Sequence, residues 1–169
     1  RDIDRQLQIA NETFARRTEL LLQPGRRSGE IDAVVTLRAE APQRTTLSVD
    51  NTGTRATGRT RVALGWQHGD LSGAGDTLNL LALTSAEHPS RVRVLSAGYR
   101  YPLPQWFSLV DVYASWADVD GGTTPTLAGD LSFAGRGRVV GVRGAHVLPR
   151  WGEADQRVSL ALDRRDYLN

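Results

Sequence analysis

Seven strand-like stretches, most of them near ten residues and separated by Gly-rich or Pro-containing links, occupy most of the chain after Pro42, and this repeat constrains the fold more than any single motif. They fall at 44–51, 59–68, 77–85, 91–101, 107–117, 138–148 and 156–165. Strict alternation puts successive side chains on opposite faces of an extended strand. In the second stretch Thr60, Val62, Leu64 and Trp66 share one face, with Arg59, Arg61, Ala63, Gly65 and Gln67 on the other. The last stretch repeats the scheme, Val158, Leu160 and Leu162 opposing Arg157, Ser159, Ala161 and Asp163. A soluble sandwich turns such an apolar face to its core, whereas a membrane barrel turns it to lipid and the polar face to its lumen. The alternation is the same in both. Length favours the barrel, because globular strands peak at about 5–6 residues and tilted membrane strands need about 9–11.

The links carry the next piece of evidence. Those reading GDLSGAGD, PLPQW and PRWGEADQ are compact, while 118–137 is a run of about twenty residues rich in Gly, Thr, Asp and Pro. Around the compact links gather Trp66, Tyr99, Tyr101, Trp106, Phe107 and Trp151. Short turns and aromatic side chains at one rim, with a longer loop at the other, fit an outer-membrane barrel. The competing reading is that aromatic residues favour strand ends in any sandwich.

Residues 1–42 have a different pattern. Ile3, Leu7 and Ala10 predict a short helix at 2–12, followed by strands at 17–23 and 31–40 around the breakers Pro24, Gly25 and Gly29. A helix and a hairpin bury too little surface to stand alone. The expected organisation is therefore the C-terminal part of a small α+β domain at 1–42 and a mainly β region at 43–169.

Composition sets the remaining bounds. At 169 residues the chain has 21 cationic side chains, all of them Arg, against 19 acidic ones. That balance argues against a nucleic-acid surface, which needs clustered excess cations. Cys is absent, which removes disulfide and thiolate chemistry. Met is absent even at position 1, so the chain is expected to begin inside a longer polypeptide, with any signal peptide upstream. No apolar run reaches the 18 or so residues of a membrane helix, a criterion that does not bear on barrels.

The stretches ARRTELLLQPGRRSGEIDAVVTLRAEAP, LSVDNTGTRATGRTRVALGWQHGDLSGAGDTLNLLALTSAE and SAGYRYPLP resemble the junction between the second periplasmic POTRA domain and the barrel of two-partner secretion transporters. These are the haemolysin secretion/activation proteins, relatives of the BamA-type assembly factors. The similarity is strongest over 17–104, and DNTGTRATG is its most specific element. The resemblance implies a two-POTRA, sixteen-stranded barrel in a Gram-negative outer membrane that secretes, and in some cases activates, a large β-helical exoprotein such as a haemolysin or adhesin. The partners it implies are that exoprotein in unfolded form and outer-membrane lipid. This chain would supply the end of one POTRA domain, in the periplasm, and about seven strands. NTGTRATG would then be the first cell-surface hairpin. Val142-Arg143-Gly144 resembles the Val-Arg-Gly-aromatic motif of a late loop in such transporters, but Ala145 follows it and it lies mid-strand and too early, so that role is not carried over and Arg143 is read as a lumen-facing or rim arginine.

No catalytic or cofactor chemistry is predicted. His68, His88 and His146 lack ligand spacing, and Asp118-Val119-Asp120-Gly121-Gly122 lacks the third acidic position and closing Glu of a calcium loop. Gly73-Ala74-Gly75-Asp76 has no Lys-Ser/Thr and Ser72 sits in no nucleophile elbow. The function classes in play are a secretion transporter, a barrel-assembly factor, a porin-like channel and a soluble β-sandwich binding module. A porin has no use for the leading helix and hairpin. Candidate functional positions are Arg17, Leu21 and Gln23 on a hairpin edge that captures the exoprotein by strand addition, with Arg16, Arg26 and Arg27 available for steering. Arg59, Arg61 and Arg157 are candidate lumen-facing residues, and Trp66, Tyr101, Trp106, Phe107 and Trp151 candidate inner-rim aromatics. A chain that leaves a periplasmic domain at Pro42 enters its first strand from the periplasmic side, which puts the compact links inside and the long link outside.

Overall fold

The computed structural model describes residues 2–25, 27, 29–119, 123–126, 129–132, 135–152 and 154–168. It is mainly β. A helix α1 (Asp2–Ala10) leads into a hairpin of β1 (Arg16–Pro24) and β2 (Ile31–Ala39). There follow β3 (Gln43–Asp50), β4 (Arg61–Gly69), β5 (Thr77–Ser85) and β6 (Val92–Leu103), then a 3-10 turn at Pro104–Trp106. The chain continues as β7 (Ser108–Val119), β8 (Thr123–Thr126), β9 (Gly129–Ser132), β10 (Gly135–Trp151) and β11 (Ala154–Leu168). Seven of these strands form one antiparallel meander in the order β11-β10-β7-β6-β5-β4-β3. Among the described residues no helix is long and apolar enough to cross a membrane.

Most strand ends shift by one to three residues from the sequence expectation, and two larger departures have local reasons. The strand expected to stop at Leu148, before Pro149, runs to Trp151 because a register shift between Leu148 and Trp151 absorbs the proline. A bulge of this kind lets a strand carry a residue without an amide donor. The link at 118–137, expected to be a plain loop, holds the small β8-β9 hairpin, which lies beside β6. The suggested calcium-loop residues Asp120, Gly121 and Gly122 lie outside the described residues, as does Arg26.

α1 ends at Ala10 because Asn11 takes a different job. Its amide Nδ2 donates to the Thr18 carbonyl at 2.9 Å while its Oδ1 accepts the Thr18 N–H at 2.7 Å, which mimics a strand pair and starts β1. Between β4 and β5 the turn is closed by two carboxylates. Asp70, at φ 63°, accepts the Gly75 N–H at 2.8 Å, and buried Asp76 accepts the Ser72 N–H at 2.9 Å and the Tyr99 hydroxyl at 2.7 Å. Burial opposes ionisation of Asp76, but these bonds outweigh it and hold its pKa below the usual carboxylate value.

At the other end of the sheet the link between β3 and β4 is fastened to the next one. Gly58 has φ 87°, and a Cβ there would meet Ser85 Oγ at 2.1 Å, so only glycine fits. Glu87 accepts from the Thr60 hydroxyl at 2.8 Å and from its N–H at 3.0 Å. The Thr60 hydroxyl bond is the main cause that pulls the Glu87 carboxyl down to about 2.

Candidate functional site

The register divides the seven-stranded sheet into two faces. One cross-strand row contains Arg44, Gln67, Asn79, Gly98, Tyr113, Gly141 and Asp163, and the next contains Thr77, Arg100, Asp111, Arg143 and Ala161. This is the face against which α1 packs, here called inner. Its apolar residues gather in two clusters, one of Leu83, Val92, Val94, Ala117 and Val119 toward the β3-β4 link, the other at the α1 end. In the second, Ile9 is 1% exposed against Leu109, Ala145 and Val147, with Phe107 alongside. Rows of the opposite, outer face read Leu47, Leu64, Ala82, Leu95 and Trp116, then Thr45, Trp66, Leu80, Ala97, Ala114 and Val140.

The helix is held by charge as well as packing. Glu12, just past α1, reaches two strands of the inner face: its Oε2 accepts from Arg100 Nη1 at 3.1 Å, and its Oε1 pairs with Arg157 of β11. Arg100 also donates Nε to Asp111 at 2.6 Å. All four side chains are between 18% and 39% exposed, a setting in which charge-assisted bonds outweigh those on an open surface. Arg5 lies over the Phe107 ring at 3.8 Å and Arg44 over Phe14 at 4.9 Å. The Arg16 guanidinium pairs with Asp70, which ties the start of β1 to the turn after β4.

Beside Glu12 the inner face holds a cavity of about 450 Å³ lined by Phe14, Arg44, Gln67, Asn79, Arg100, Tyr113 and Arg143. Gly141 makes room for the Tyr113 ring in this lining, since a Cβ there would sit 2.5 Å from it. Gln67 Nε2 donates to Asn79 Oδ1 at 2.7 Å, and Arg143 lies 5.8 Å from the Tyr113 ring centre. Amide, guanidinium, carboxylate and phenol groups thus line one wall at the α1 end. Such a wall offers both donors and acceptors to a passing polar chain. Among the described residues no group of His, Cys, Asp or Glu is placed to hold a metal ion.

The residues singled out from sequence fall in different places. Arg157 is on the inner face and is the partner of Glu12. Arg61 shares that face at the far end, where Nη1 donates to the Gly58 carbonyl at 2.9 Å and Nη2 to Thr57 Oγ1 at 2.7 Å. Arg59 precedes β4 and lies exposed in the link. Trp66, Tyr101, Trp106 and Trp151 lie on the outer side or at the rim of the α1 end, Trp106 64% and Trp151 81% exposed. Phe107 shares that end but packs inward on the Ile9 cluster, because its left-handed φ of 49° turns the chain after Pro104. Arg17, Leu21 and Gln23 alternate along one face of β1, which pairs with β2 on one side only. Arg27 is 4.0 Å from Glu30.

Sequence reasoning missed Glu12, Arg100, Asp111 and Phe14, and read Arg143 only as a lumen-facing or rim arginine without its neighbours Asp111 and Tyr113. Strand parity placed Arg100, Asp111 and Arg143 on the polar face, and antiparallel pairing of neighbours would have aligned the first two. Nothing local pointed to Glu12, whose partners lie 88 and 145 residues along the chain.

The family described as "Haemolysin secretion/activation protein ShlB/FhaC/HecB" matches residues 29–169. Among solved structures, CdiB from Escherichia coli is similar at a TM-score of 0.77 and 22% identity, over 97% of this chain and 30% of that one. The chain therefore spans about 30% of the length of that relative, and at this identity the likeness speaks to fold. No curated protein matches.

Proposed function

The chain belongs to the haemolysin secretion/activation protein family, and from that premise we propose that it joins the end of a periplasmic POTRA domain to the first seven strands of an outer-membrane barrel that secretes a partner exoprotein. Residues 1–42 are the POTRA part and 43–169 the barrel part. One observation carries the reading: the outer face leaves a continuous set of large apolar side chains exposed, while the face that α1 covers carries charged and amide groups between two buried apolar clusters. A soluble sheet does not leave so broad an apolar face bare. Lipid is the solvent in which exposed Leu47, Leu95, Leu160 and Leu162 are at rest.

In this reading β3 and β11, each with one unpaired edge, pair with further strands of the parent protein, since an open edge is untenable in lipid. The inner face, with Arg61 and Arg157, faces the lumen, and Arg59 stands at its outer mouth. The exoprotein crosses as an extended chain, its peptide groups meeting donors and acceptors of the cavity beside Glu12. It is first captured as an added strand on the free edge of β1, along Arg17, Leu21 and Gln23, where backbone bonds give affinity without demanding a sequence. The compact links and α1 stand on the periplasmic side, so Trp66, Tyr101, Trp106 and Trp151 sit at the inner head-group level and the two fastened links, one with Gly58 and the next with Glu87, are at the cell surface. Phe107 secures α1 to that mouth.

Deleting the parent gene tests the assignment. Loss of a large exoprotein from the medium with other outer-membrane barrels at normal levels is the expected result. A general fall in barrel levels would make the protein an assembly factor instead.

A further inference from the structure

Four arginines lie where a lipid-facing surface should have none. On the outer face, at the end away from α1, Arg93, Asp118 and Arg136 form one cross-strand row, and Trp116, Arg138 and Asp166 form the next. Arg164 follows on β11, two residues from Asp166 along the same face. Arg136, Arg138 and Arg164 have side chains 66%, 67% and 81% exposed. Two carboxylates serve the set: Asp118 accepts from Arg136 at 3.1 Å, and Asp166 from Arg138 at 2.9 Å and Arg164 at 3.4 Å. Four cations against two anions leave a net charge of +2 on the patch. Beside it on the same face the rows are apolar, Leu64 and Leu95 in the row of Trp116 and Arg138 and Val140 opposite Arg164, and at the opposite rim the face carries aromatic side chains in place of arginine.

An arginine on the lipid face costs about 2–4 kcal/mol at the bilayer midplane and close to nothing at the interface, so the patch belongs at head-group level. Strands about 4.8 Å apart, with about 6.6–7 Å between alternate residues, put the four guanidinium stems within a field of about 14 by 14 Å, three strand spacings by two residue steps. Long side chains leaning inward from this field reach one head group of comparable span. Beside them runs an open groove of about 590 Å³, with Trp116, Arg136, Arg138, Asp166 and Tyr167 in its lining. The guanidinium fork matches two phosphate oxygens at once, which an ammonium does not.

From these observations we propose that Arg93, Arg136, Arg138 and Arg164 form a binding site for the phosphorylated head group of an outer-leaflet glycolipid, with Trp116 against its sugar ring and the apolar face against its acyl chains. The site rests on the reading that the outer face meets lipid and that the end away from α1 is the cell-surface end. It fixes the barrel in the leaflet that carries phosphate-rich lipid, at strands β6 to β11.

The test uses the full-length parent protein in detergent, with lipid A as the probe and binding read by native mass spectrometry. Lipid A is compared with its dephosphorylated form and with phosphatidylcholine. The wild type should prefer lipid A at least tenfold, and the combined change R93Q/R136Q/R138Q/R164Q should remove that preference, since each lost charge-assisted bond is worth about 1.5–3 kcal/mol and tenfold is about 1.4. A variant within twofold of the wild type, or a wild type indifferent to the phosphates, overturns the proposal. Should the fourfold variant fail to fold, the wild-type discrimination between phosphorylated and dephosphorylated lipid decides alone. Flotation of the wild type with phosphatidylcholine vesicles is read separately; failure there overturns the barrel reading before any lipid A is added.

Discussion

The two faces of the seven-stranded sheet are built from the same strands, yet the outer one leaves large apolar side chains exposed while the inner one buries apolar clusters and hydroxyls alike. On the outer face Leu160 is 72% and Leu47 68% exposed, whereas on the inner face Ser96 and Ser115, directly opposite each other on β6 and β7, are 5% and 4% exposed. Alternation alone made the two faces different. Only the seating of α1, through Ile9 and Glu12, identifies the polar face as the one turned inward. Polarity therefore does not reveal which side of a strand is the inside; what packs on it does.

The largest predicted effect comes from placing a charge at mid-strand on the outer face. Leu80→Arg in the full-length parent should cost about 2–4 kcal/mol in lipid vesicles, read as a lower urea midpoint by tryptophan fluorescence. Asn79→Arg, one residue away on the inner face, should cost less than half of that. Equal costs would break the distinction between the faces.

The next test compares two glycines of β10. Gly141→Ala puts a methyl 2.5 Å from the Tyr113 ring and should destabilise by about 1–3 kcal/mol, as overpacking does. Gly144→Ala, three residues on and facing outward with nothing within 4 Å, should change stability by less than about 0.5 kcal/mol. The same urea titration reads both.

A smaller effect is expected at the helix. Glu12→Gln keeps the shape but weakens the bonds to Arg100 and Arg157, which in a partly solvated setting amounts to about 1 kcal/mol. Faster hydrogen exchange across α1, with the β6-β7 amides unchanged, is the expected signature. Arg157→Gln should add little once Glu12 is already changed, because the pair is one interaction.

These comparisons also explain what the sequence could and could not convey. The seven long strands were legible because alternation of Val62, Leu64 and Trp66 against Arg61, Ala63 and Gln67 is a local property. So were the compact links, closed by Asp70, Gly75 and Asp76 within a few residues of one another. The extension of β10 through Pro149 was not, since a bulge depends on the partner strand. Nor was the inward turn of Phe107, which looks like any rim aromatic until the left-handed residue and the Ile9 cluster are seen together. The Glu12 bridge lay furthest from view: it joins elements that no pattern or spacing relates.

Site-directed spin labelling along β6 of the full-length parent in lipid vesicles tests the central claim most directly. The 169 residues contain no Cys, so single cysteines at Val94, Leu95, Ser96, Ala97 and Gly98 introduce unique labels in this part of the protein. Collision rates with oxygen, which concentrates in lipid, and with a water-soluble nickel complex should alternate with a period of two. Labels at Leu95 and Ala97 should favour oxygen, and those at Val94, Ser96 and Gly98 should not. Alternation in the opposite phase, or nickel access at Leu95 and Ala97, would contradict the assignment of the outer face to lipid.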